Sequence, residues 1–88
     1  MNFNGNMQFS AGCVIEEKTA YPGNDIKQGA KIFKKVKDQK ACAKLTAENK
    51  KAKFWTYHPS NKKCFIKTSK KGKKPRKTSV SGNRECGL

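Results

Sequence analysis

The sequence predicts a small α+β domain in which one α-helix packs on an antiparallel β-sheet held by disulfide bonds. Three observations lead there. Short segments of strand type recur along the chain around a single stretch of helical periodicity, so the elements run strand, strand, helix, two-stranded hairpin, strand. The chain has 88 residues, of which 34% are hydrophobic. A domain of that size buries only roughly 60–65% of its unfolded surface and needs reinforcement. Four cysteines, an even number, can supply it.

Residues 1–11 are uncharged and rich in Asn and Gly, and read as a loose leader, with Phe3 and Phe9 free to dock on a domain spanning 12–88. Cys13, Val14 and Ile15 form the first apolar run, expected to be a strand. Tyr21, Pro22, Gly23, Asn24 and Asp25 spell a turn, because Pro presets one torsion and Gly or Asn tolerates the next. Ile26, Ile32, Phe33 and Val36 then mark a strand or two with basic outer faces. Asp38 is the best helix start, since its carboxylate can accept from free backbone N–H groups and complements the helix dipole. A helix over 39–49 puts Ala41, Cys42 and Leu45 on one face, with Asn49 as its end.

Residues 53–57 are aromatic and β-branched, which favours strand. Trp55 and Tyr57 then point to one side, expected to be core, and Phe54, Thr56 and His58 to the other. Pro59, Ser60, Asn61 and Lys62 turn the chain, and Cys64, Phe65, Ile66 and Lys67 close a hairpin. Residues 68–79 read as a basic loop, followed by a last edge strand at Ser79, Val80 and Ser81 that ends at Gly82.

Lys plus Arg number 21 against 6 Asp plus Glu, a formal charge of +15. Residues 1–37 carry +3, 38–52 carry +2 and 53–88 carry +10. Such a field favours polyanions: nucleic acid, sulfated glycan, anionic lipid or an acidic protein. No run approaches the ~20 apolar residues of a membrane span, so no membrane insertion is expected.

Cys13, Cys42, Cys64 and Cys86 lie 29, 22 and 22 positions apart. Structural zinc sites bring their ligands in close pairs, and His58 is the sole histidine, so no metal and no cofactor are expected. The cysteines read as two disulfides, and spacing leaves all three connectivities open. The competing reading is a cytosolic or nuclear nucleic-acid-binding protein with four free thiols. Residues 1–11 have no apolar signal-peptide core, so a secreted protein would contain this chain as a mature fragment or domain.

Read together, Cys13-x-Ile15, Pro22-Gly23-Asn24-Asp25-Ile26, Ala41-Cys42-Ala43, Phe54-Trp55-Thr56-Tyr57, Lys63-Cys64-Phe65-Ile66-Lys67 and Ser81-Gly82 resemble a PAN/apple domain over residues 12–88. Apple domains commonly carry six cysteines; here Thr46 and Ala52 stand where the third and fourth would be, as expected if one whole bridge were lost. The resemblance implies Cys42–Cys64, pinning the helix to the hairpin, and Cys13–Cys86, tying the ends. It also implies an extracellular binding module for a host-cell receptor protein or an anionic glycan. With the Lys-rich composition, it points to one repeat among sister apple domains of an apicomplexan microneme adhesin, reached through a microneme-type secretory organelle.

The candidate ligand-binding residues are Lys67, Lys70, Lys71, Lys73, Lys74, Arg76 and Lys77, because a run of cations can neutralise several sulfates at once and release counterions. The bland alternatives are a solvated loop that aids solubility and a structural spacer domain with no ligand. Nucleic acid is a disfavoured partner for a disulfide-bonded module. No catalytic residue is expected: His58 precedes Pro59 in a turn, Asp38 is explained as a cap, and Glu16 and Glu17 alternate sides of a strand.

Overall fold

In a computed structural model, which describes residues 12–23 and 32–88, the chain forms β1 (Ile15–Ala20), β2 (Ile32–Phe33), α1 (Gln39–Ala47), β3 (Phe54–His58), β4 (Lys63–Lys67) and β5 (Lys74–Asn83), then a 3-10 turn over Arg84–Gly87. The expected leader 1–11 and the part of the expected turn and strand within 24–31 lie outside the described residues. The strands pair antiparallel in the order β1-β5-β3-β4-β2. This is the α+β class expected. Among the described residues no helix is long and apolar enough to cross a membrane.

Helix α1 starts where its cap predicts: the Asp38 carboxylate accepts from Ala41 N–H at 2.8 Å. Cys42, Ala43 and Thr46 are buried on its inner face. They pack on Trp55, Tyr57, Cys64, Ile66 and Val80 from the three central strands, with Val36 and Ala52 closing the cluster. Trp55 and Tyr57 are thus core, as their spacing implied. The helix ends on Arg84, whose guanidinium donates to the carbonyls of Ala47, Asn49 and Ala52 at 2.7–3.1 Å.

All four cysteines are bridged, as Cys13–Cys86 and Cys42–Cys64. The reading with four free thiols is therefore set aside. Thr46 and Ala52 are both fully buried, so the positions that hold cysteine in the six-cysteine pattern belong to the core here.

Three expectations need correction. The first strand begins at Ile15 and runs on to Ala20, because it pairs with β5 on both sides of an irregularity at Lys18. The helix stops at Ala47, two residues early, where Arg84 donates to the Ala47 carbonyl and to the carbonyls of Asn49 and Ala52 just beyond it. The basic segment 68–79 is not all loop. Strand β5 starts at Lys74 and runs ten residues, and it lies inside the sheet between β1 and β3. Lys74, Arg76 and Lys77 therefore sit on a strand. Pairing with Thr19 and Ala20 of β1 at one end, and with β1 and β3 from Val80 onward, overrides their weak strand propensity.

Candidate polyanion-binding face

The sheet has a second face, away from α1. Alternation along β3 and β4 places Phe54, Thr56 and His58 with Lys63, Phe65 and Lys67 on it, since cross-strand partners share a face. At the β1 side this face is sealed by a hydrogen-bonded chain. Ser81 Oγ donates to Thr19 O at 2.7 Å, so Thr56 Oγ1 donates to Ser81 Oγ at 2.7 Å and accepts from Tyr21 N–H at 3.2 Å. Tyr21 is buried and meets the Phe54 ring edge-on at 5.7 Å. The turn motif gave no sign that Tyr21 would be buried.

Strands β4 and β5 are both antiparallel to β3 and so run parallel to each other. Residues 68–73 must therefore carry the chain back from the end of β4 to the start of β5, and they do so as a strap along this face. Lys70 Nζ sits 5.6 Å from the Phe54 ring centroid. Lys73 Nζ donates to Glu16 Oε2 at 2.8 Å, and Tyr21 OH donates to the other oxygen of Glu16. Lys73 above all, with Tyr21, holds the Glu16 carboxyl below its ordinary range, while burial and then Glu16 push the Tyr21 phenol up.

The seven predicted cations are thereby divided. Lys70 and Lys73 bind the strap to the sheet. Lys67 is 4% exposed, with its ammonium 5.3 Å from the Phe65 centroid. Lys71 and Lys74 are exposed on the strap and at the start of β5. Arg76 and Lys77 are exposed in a bulge of β5: the pairing jumps from Glu17–Val80 to Thr19–Pro75, so Lys18 alone stands opposite residues 76–79.

The structure adds residues that sequence reasoning passed over. His58 and Phe65 are half-buried neighbours with ring centroids 4.9 Å apart. Burial first, and then the charges of Arg76, Lys67 and Lys63, hold the His58 imidazole below its ordinary value. The arrangement is an aromatic pair with Lys63 opposite His58 and the field of Arg76 from the β5 bulge, while Lys67 lies buried beneath the Phe65 side. It suits an anion attached to a flat ring: the aromatic surface takes the ring, and the cations take the charge. The signal was present in the hairpin, where Lys63, Phe65 and Lys67 alternate onto the side of His58.

A search among curated proteins found no match to this chain. The family model described as PAN domain matches residues 9–87. PAN domains are disulfide-rich modules that often mediate protein or carbohydrate binding and are generally non-catalytic, and their bridges fit an extracellular or secreted setting. The match covers nearly the whole chain and agrees with the sheet, the helix and both bridges, and the chain therefore belongs to the PAN domain family.

Proposed function

We propose that this PAN domain is an adhesion module that binds a sulfated carbohydrate through the sheet face opposite α1. The observation that carries the reading is the half-exposed His58–Phe65 pair, with Lys63 opposite His58 and the positive field of Arg76 and the buried Lys67 acting on it. Sugar rings stack on aromatic surfaces, and each sulfate gains charge-assisted hydrogen bonds from Lys or Arg. Lys71, Lys74 and Lys77 extend the field along the strap and the bulge, so several sulfates of one chain can be met together. The wider setting proposed is a repeated parasite surface or microneme protein that attaches to host cells, supported by the lysine-rich composition and the apple-type motifs.

Heparin-column elution tests the proposal. Lys63→Ser/Arg76→Ser is expected to elute at lower salt than the wild type, with a shallower dependence of affinity on salt, by about one unit of logarithmic slope per lost ionic contact. Lys50→Ser/Lys51→Ser removes the same charge from a turn outside this cluster and serves as the control. Equal elution of the two variants would reduce the effect to net charge and refute the site. Retention that survives high salt would point to a neutral sugar instead.

A further inference from the structure

A second, separate cleft lies on the helix side of the sheet. It is a hollow of about 350 Å³ between residues 35–37 and α1. Val36, Ala41 and Leu45 make its apolar floor, and Lys35, Lys37, Lys44 and Glu48 make its rim. Its wall is held in place before any ligand arrives. Val36 N–H donates to Lys62 O at 2.9 Å, and Val36 O accepts from Tyr57 OH at 2.5 Å. Tyr57 is 3% exposed and Val36 7%, so this anchor is part of the core. Lys35 and Lys62 both adopt left-handed backbone, with φ of 60°. The core contacts of Val36 hold the backbone in place despite that local cost.

We propose that this cleft docks an acidic peptide segment that carries an apolar side chain between its carboxylates. The occupant follows from charge complementarity and size. The floor is aliphatic, so it rewards burial of an apolar side chain. The rim bears three ammonium groups and one carboxylate, so it favours acids on either side of that anchor and disfavours a basic peptide. The hollow has room for one or two side chains. A rigid wall lowers the ordering cost of association. Glu48 stands at the end of α1, where it repels a carboxylate and accepts a peptide amine, and so gives the peptide a direction. A sulfated glycan has C–H ring faces but no free-standing aliphatic side chain to seat on this floor, so the cleft and the His58–Phe65 face favour different ligands.

The test is fluorescence anisotropy with a labelled Glu-Glu-Leu-Phe-Glu-Glu peptide, at physiological salt where the Debye length is about 8 Å. Lys35→Asn/Lys44→Gln removes two rim charges without unfolding risk, since Asn tolerates left-handed backbone and Gln suits a helix surface. The expected result is a loss of about tenfold in affinity for the double variant, in keeping with two charge-assisted contacts. The charge-matched Lys71→Ser/Lys77→Ser variant should bind the peptide as the wild type does. Replacing Leu-Phe by Ser-Ser in the peptide should weaken binding by a similar factor. Equal affinity of the two protein variants overturns the proposal, as does equal affinity of the two peptides or no binding by the wild type. Heparin retention of Lys35→Asn/Lys44→Gln, run beside the charge-matched variant, separates this result from the fate of the glycan-binding face.

Discussion

His58 shows how a residue set aside as a catalytic candidate becomes chemically informative once its neighbours are placed. Its folded-state pKa is depressed, so between the ordinary histidine value and that lower one the unfolded chain binds a proton that the folded chain refuses. Stability contributed by neutral His58 is therefore present above the ordinary value and is lost as pH falls through the folded value. His58→Gln should flatten that part of a Tm-versus-pH curve. A bound polyanion reverses the sign locally, because negative charge favours the imidazolium; glycan affinity should rise from pH 7 to 5 in the wild type and rise less in His58→Gln, as read by elution salt. Gly87 is constrained by space. A Cβ there would lie 2.2 Å from Ala43 O on the helix backbone, which cannot yield as a side-chain tip can. Gly87→Ala should cost about 3 kcal/mol by chemical denaturation, at the upper end of overpacking penalties.

At the scale of elements, the two bridges do different work. Cys42 and Cys64 are both fully buried, whereas Cys13 and Cys86 are half-buried beside the 3-10 turn. Limited reduction followed by alkylation and mass mapping should label Cys13 and Cys86 first, since thiol exchange needs access to sulfur. Cys42→Ala/Cys64→Ala should lose about 3.4 kcal/mol from loop entropy alone for its separation of 22 residues, with lost packing in addition. The elements were legible to different degrees. Helix α1 was readable because Asp38 and the three-four spacing of Ala41, Cys42 and Leu45 are local signals. The last part of strand β5, residues 79–82, was readable, but its start was not, because Lys74, Pro75, Arg76 and Lys77 have no strand signature and the strand is begun by pairing of Lys74 and Pro75 with Ala20 and Thr19, some 55 residues earlier. The candidate face failed to appear for the same reason. The charge of Arg76 acts on His58 only because β5 is recruited next to β3, whereas the Lys63-Phe65-Lys67 alternation within one strand was visible all along.

For the whole molecule, 21 basic side chains face only 6 acidic ones, of which Glu16 pairs with Lys73. Self-repulsion should then outweigh attraction, so adding neutral salt should raise Tm; for a domain this small, roughly 4–8 °C corresponds to each kcal/mol gained. A Tm that falls with salt would mean that ion pairs dominate. The fold class and the two sides of β3 were legible in the sequence, and the pairing of the bridges through the family resemblance alone, while the strap and the bulge were not, since they depend on how β4 and β5 come to run parallel. The Cys13–Cys86 bridge has a mechanical consequence. With Cα atoms 4.6 Å apart and a sequence separation of 73, it makes residues 14–85 a closed side loop. Tension applied to the chain on either side passes through the sulfur–sulfur bond and leaves the sheet unloaded. The domain therefore lengthens hardly at all under a pull that would unravel an unbridged sheet, and its binding surfaces keep their shape while the tether is taut.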